Sequence, residues 1–132
     1  MAEKQVTIKP AEWSPDAAEM LQAAIPFGVP EDLRRQIENE GARLFEVIAE
    51  GQRVAFYMLR VDRDSRGNVG VIVAGAGSMA GFDLVVNIVP QIERQFINCH
   101  SVQFHTARPG LVKKMTRQGY GAVEMVLRKK IQ

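Results

Sequence analysis

The chain has 132 residues, 46% of them hydrophobic and 24% charged, which is the composition of one ordinary globular domain and leaves no room for a second. Its single cysteine, Cys99, excludes an internal disulfide and any zinc site built on cysteine pairs; its apolar runs fall well short of the roughly 20 residues a membrane-spanning helix needs. The net charge of +2 is too small to imply a polyanionic partner, but from Arg108 onward seven basic residues stand against one acid, Glu124, on a chain that is otherwise net acidic. Such a strip suits a phosphate-bearing ligand or simply solvent. No apolar stretch follows Met1-Ala2-Glu3-Lys4, so the expectation is a cytoplasmic protein without a signal peptide and with no membrane contact.

Val6 and Ile8 alternate with polar residues before Pro10, as an edge strand would. Ser14-Pro15-Asp16 then reads as a helix start: a capping hydroxyl, a proline at the first helical position and an acid at the positive end of the dipole. Ala17, Met20, Leu21 and Ala24 form its apolar stripe, and Pro26 and Gly28 end it. A second helix is predicted over 30–40, with Leu33 and Ile37 four apart and Gly41 as its stop.

The period now changes from 3.6 to 2. Strands are predicted over 44–49 and 53–61, joined by a hairpin at Glu50-Gly51-Gln52, and a polar loop over 62–68 leads to a third strand over 69–74. A helix over 82–97 places Val85, Ile88, Val89, Ile92 and Phe96 on one face, with a kink expected at Pro90. A strand over 101–106, a short helix over 109–118 closed by Gly119, and a last strand over 122–131 complete the order β-α-α-β-β-β-α-β-α-β. One strand-helix-strand crossover inside an antiparallel run makes an α/β (α+β) domain spanning 1–132, with a mixed, mostly antiparallel sheet and helices on both faces.

Between the third strand and the third helix lies Val73-Ala74-Gly75-Ala76-Gly77-Ser78-Met79-Ala80-Gly81. Small residues let a ligand approach the main chain, and the first amides of a helix lack intrahelical partners, so a phosphate or pyrophosphate is the natural guest. The alternative is a tight turn against close-packed neighbours. A P-loop is excluded, because no lysine and hydroxyl pair follows the last glycine. Gly75 to Ala80 satisfy the G-x-G-x-x-A form of the dinucleotide fingerprint, but the next strand ends in His105-Thr106 without the acid that would hold a ribose.

This order of elements, together with Val102-Gln103-Phe104-His105-Thr106-Ala107-Arg108-Pro109-Gly110-Leu111 and the later Gln118-Gly119-Tyr120, resembles the GNAT superfamily of acyl-CoA-dependent N-acyltransferases, in particular small phage-encoded members. The resemblance implies acetyl-CoA as co-substrate, no metal, and an amine acceptor that the sequence does not specify. It implies that main-chain groups near Val73 and Ala74 pair with the pantetheine arm and that amides from Gly75 to Gly81 hold the pyrophosphate. The chemistry implied is attack of an amine on the thioester, with a base to take its proton and an acid for the leaving thiolate. The sequence departs from the family pattern in three respects. Ile72 and Ala74 stand where Gln or Arg is usual before the alternate glycines, Met115 where many members carry a tyrosine acid, and Arg108 where they carry a helix-opening asparagine. The alternative within the same fold is a binding or assembly module without turnover.

Among single residues, His105 lies near a strand end beside the expected cleft, where a histidine could exchange protons at neutral pH or serve only structure. Arg108, at a helix start, suits a phosphate. Tyr120 could donate a proton if its hydroxyl reached the cleft, and otherwise reads as a core aromatic with a wet tip. Glu46 and Tyr57 sit on hairpin strands that border the acceptor side in the resembling family. A homodimer is expected because the sheet leaves edges that need cover. Nucleic acid is disfavoured, since few aromatics interleave with the basic strip.

Overall fold

A computed structural model describes residues 6–26, 28–78, 83–106 and 108–132. The elements are β1 (Val6–Pro10), α1 (Pro15–Gln22), α2 (Pro30–Asn39), β2 (Arg43–Ala49), β3 (Gln52–Asp64), β4 (Gly67–Gly77), α3 (Leu84–Gln95), β5 (Ser101–Phe104) and α4 (Pro109–Arg117). The five strands form one sheet in chain order, antiparallel except for the parallel pair β4 and β5.

Local chemistry explains most of the boundaries. The Ser14 side chain accepts from the Ala17 amide at 3.1 Å, and prolines open α1, α2 and α4. Glu50 and Gly51 both take positive φ, 53° and 76°, which the tight β2–β3 hairpin requires. The helix α3 continues through Pro90 and ends at Gln95.

Alternation along the strands sorts the interior into two layers. Phe45, Val47, Ala55, Tyr57, Leu59 and Ile72 meet Ile88, Ile92 and Phe96 of the α3 layer on one face. On the other face Leu44, Phe56, Met58 and Ala74 meet Ala17 and Leu21 of α1 and Leu33 of α2. Fully burying an aliphatic side chain of this kind stabilises by about 1.5–3 kcal/mol, so these two layers are what hold the sheet between its helices.

Four sequence expectations are corrected. The polar loop expected over 62–68 contracts to a turn between Asp64 and Gly67, because β3 and β4 stay paired out to Asp64↔Gly67. The glycine loop starts later than expected: Gly75, Ala76 and Gly77 are strand, opposite Tyr57, Phe56 and Ala55. The strand expected over 101–106 ends at Phe104. The final strand expected over 122–131 is not formed, and Val123, Met125 and Leu127 are each more than 80% exposed. A strand needs a partner ladder as well as an alternating pattern, and this segment has none among the described residues.

Candidate functional site

The site is set by where β4 loses its neighbour. Val69 to Ile72 pair with β3 on one side and with β5 on the other. The last contact with β5 is the His105 amide donating to the Ile72 carbonyl at 3.3 Å. From Val73 onward β4 has, among the described residues, only β3 beside it. Val73 is also the extra residue of a bulge, because Met58 faces Ala74 and Leu59 faces Ile72, so Val73 has no opposite number in either strand.

Beyond this parting a cavity of about 300 Å³ opens between the sheet and α3. Its depth is apolar, with Val47, Tyr57, Ile72, Ile88, Ile92 and Phe104, whereas Ser78, Asp83, Arg108 and Lys114 bring polar groups to it from the loop, α3 and α4. Gly75 and Gly77 line it. A Cβ added at Gly75 would make ordinary contact with the Tyr57 Cβ at 3.5 Å; one at Gly77 would lie 2.2 Å from the Val54 carbonyl oxygen. Gly77 is therefore demanded by close approach to β3, and Gly75 leaves space.

The N-terminus of α3 is already occupied by the chain's own carboxylate. Asp83 accepts from the Val86 amide at 3.2 Å and pairs with Lys114 at 3.3 Å. That amide first, and then Lys114, hold the Asp83 carboxyl below the ordinary carboxylate range. The Ser78 amide, expected to face a phosphate, donates instead to the Val54 carbonyl at 3.1 Å. Gly81 lies outside the described residues. Of the cofactor-side set, the structure brings Gly75, Ala76, Gly77, Ser78 and Arg108 to the cavity, with Val73 and Ala74 at the parting beside it.

The three acid-base candidates do not converge. Glu46 lies on the α1 face of the sheet, opposite the cavity, paired with Lys9 at 3.6 Å and with Arg53 at 3.4 Å; Arg53 also holds Asp16 of α1 at 2.6 Å. Tyr120 donates its hydroxyl to Glu93 on α3 at 2.8 Å, and burial together with that carboxylate pushes its pKa up. Tyr57 lines the cavity but donates to Gln95 at 2.7 Å, and burial raises its pKa as well. His105 stands at the parting itself, exposed and outside the lining of the cavity. On the α2 side of the sheet Arg60 binds Asp62 through two nitrogens, at 2.7 and 2.9 Å, and reaches Gln36 of α2. The Arg60 hydrogen bonds chiefly, with a smaller contribution from the charge of His105, hold the Asp62 carboxyl low.

Sequence reasoning missed Asp83 and the Arg60–Asp62–Gln36 group. An acid directly before an apolar helical stripe is a capping signal that would have found Asp83. The Arg60 group joins residues 24 positions apart and leaves no local mark.

No protein-family model and no curated protein matches this sequence. Solved structures do match it in shape. The chain is similar to an aminoglycoside N-acetyltransferase, AAC(6')-Iy, in complex with CoA, with a TM-score of 0.66 at 11% identity, covering 99% of this chain and 98% of that one. It is similar to a transcriptional regulator from Bacillus halodurans, with a TM-score of 0.66 at 16% identity over 96% and 100%. Glucosamine-6-phosphate N-acetyltransferase from Arabidopsis thaliana matches with a TM-score of 0.62 at 13% identity over 97% and 99%. The chain has the GNAT fold: among the described residues, a mixed five-stranded sheet, antiparallel but for the parted pair β4 and β5, with four helices.

Proposed function

We propose that the protein is an acyl-CoA-dependent N-acyltransferase that moves an acetyl group from acetyl-CoA to an amine. The observation that carries this reading is the parting of β4 from β5 at Ile72, which leaves the main chain of Val73 and Ala74 beside a cavity with cations at α4. A pantetheine arm is a chain of amides, and such a chain can add to β4 as a strand would. In this reading Arg108 and Lys114 hold the phosphates, because Asp83 has already neutralised the positive end of α3. The bound CoA in the aminoglycoside acetyltransferase of the same fold supports the choice of co-substrate.

The chemistry follows from alignment. The amine nitrogen attacks the thioester carbonyl, the C–N bond forms, and the C–S bond breaks to release the CoA thiolate. In this reading His105, whose amide marks the point where β4 and β5 part, takes the amine proton. A thiol has a pKa of about 8.5, so its thiolate leaves readily and takes a proton from water at neutral pH. Neither tyrosine hydroxyl is needed for that step.

A second reading, a GNAT-fold binding module without turnover, is favoured by one observation: both tyrosine hydroxyls are committed to α3, to Gln95 and to Glu93. Calorimetric titration with acetyl-CoA, followed by thiol release in the presence of polyamines, amino sugars and peptide amines, separates the two. Saturable micromolar binding with amine-dependent release of thiol supports the transferase. Binding with no release against any amine supports the module, and no binding at millimolar acetyl-CoA overturns the transferase and leaves the module.

A further inference from the structure

We infer that the apolar depth of the cavity beside β4 takes the acyl chain of the donor, and that it accepts chains longer than acetyl, of about four to six carbons. The inference rests on the acyl-CoA reading of this site and names the class of donor within it.

The α3 side of the sheet treats two glycines of β4 differently. Over Gly70 the Phe96 ring closes the space, so that an added Cβ would lie 2.5 Å from it. An added Cβ at Gly75 would meet, among the described residues, only the Tyr57 Cβ at 3.5 Å and the Phe56 carbonyl oxygen at 3.9 Å. Here α3 brings Ile88 and Ile92 to the cavity in place of a ring. Protein interiors are close-packed, and an unfilled apolar space costs stability in proportion to its volume. Such a space, kept where β4 leaves its neighbour, is room for a guest.

The chemistry of the lining selects hydrocarbon. Val47, Ile72, Ile88, Ile92 and Phe104 surround the depth, and the Tyr57 hydroxyl is turned away to Gln95 at 2.7 Å. Among the described residues no buried side-chain nitrogen or oxygen lacks a partner, so the side chains of the depth have nothing to offer a polar guest. Charge is confined to the mouth, at Asp83, Arg108 and Lys114. Acyl-CoA has the same order of parts: phosphates, a chain of amides, then a hydrocarbon tail beyond the thioester. With the phosphates at Arg108 and Lys114 and the amides along Val73 and Ala74, the thioester comes beside Ile72 and Phe104, and the tail has the apolar depth before it. Volume sets the length. The cavity of about 300 Å³ equals the share of about ten waters, and the methyl of an acetyl group fills about one such share.

The test is calorimetric titration of the full chain with CoA, acetyl-CoA, butyryl-CoA and hexanoyl-CoA under one set of conditions. Each methylene buried in the cavity should tighten binding by about fourfold, so butyryl-CoA should bind about fifteenfold more tightly than acetyl-CoA. Two variants narrow the cavity from different points of α3, Ile88→Phe and the less buried Leu84→Phe, so that the test survives if one of them fails to fold. In each folded variant the ratio of butyryl-CoA to acetyl-CoA affinity should fall to within about twofold of one. Equal affinities of acetyl-CoA and butyryl-CoA in the unmodified chain overturn the inference and leave the acyl-CoA reading standing. A gain with chain length that persists in both folded variants overturns it too, since the chain then lies elsewhere. Hexylamine that binds while chain length brings no gain also overturns it, by giving the cavity to the acceptor. No binding of any of the four ligands at millimolar concentration removes the acyl-CoA reading and this inference together.

Discussion

The two halves of β4 are continuous in sequence and opposite in situation. From Val69 to Ile72 the strand has a neighbour on each side, and Gly70 is packed so closely that an added Cβ would lie 2.5 Å from the Phe96 ring. From Val73 to Gly77 it has one neighbour, a bulge and a cavity, and Gly75 has ordinary room for a Cβ. The first half spends its glycine and its apolar side chains on packing. The second leaves space at Gly75, although Ala74 is still packed in the core and Gly77 still meets β3 closely. Glycine in a strand thus carries no single meaning, and its role is decided by what lies against it.

Substitutions in the two halves should therefore separate stability from ligand binding. The largest effect on stability is expected from Ile72→Ala, which removes a side chain only 1% exposed and should cost about 3 kcal/mol in urea unfolding, against about 1 kcal/mol for the half-buried Val73→Ala. Gly70→Ala should cost about 2 kcal/mol by overpacking against Phe96 and leave the affinity of the folded fraction for CoA unchanged. Gly75→Ala should do the reverse, moving stability by less than about 0.5 kcal/mol and weakening CoA about tenfold by calorimetry. Equal effects of the two alanines on both quantities would erase the distinction.

Arg108→Ala should weaken CoA about tenfold while leaving pantetheine, which lacks the phosphates, unaffected. The smallest effect concerns the Asp83 cap. Its carboxyl is held low in the folded chain, so its contribution is fully present above the unfolded value of about 3.9 and fades as pH falls below that value through the folded one. Asp83→Ala should accordingly lower the unfolding midpoint at pH 7 and converge with the unmodified chain in acid. A constant difference between the two chains down to the lowest pH at which both fold would contradict the cap.

Much of this was legible from local chemistry. The Ser14 cap, the opening prolines, the hairpin at Glu50-Gly51 and the stripe Ile88, Val89, Ile92, Phe96 each depend on residues within one or two turns of chain, and each is where the pattern placed it. The extent of β4 was not. Gly75-Ala76-Gly77 offers no side-chain alternation to read, and what makes it strand is pairing with Ala55 to Tyr57, some 20 residues earlier. Glu46 was ambiguous for a related reason, since its facing follows from register and its pairing with Arg53 from the hairpin. The segment after Tyr120 shows the converse. Its alternation is plain in the sequence, but among the described residues it pairs with no strand.

The central claim is that the unpaired half of β4 is the acyl-CoA site. Amide resonances of the full-length, isotope-labelled protein during titration with CoA test it most directly. The account predicts large, saturable shifts and slowed hydrogen exchange at Val73, Ala74 and Gly75, with Val69 to Val71 unmoved. Shifts confined to other surfaces, or none at millimolar CoA, would contradict it.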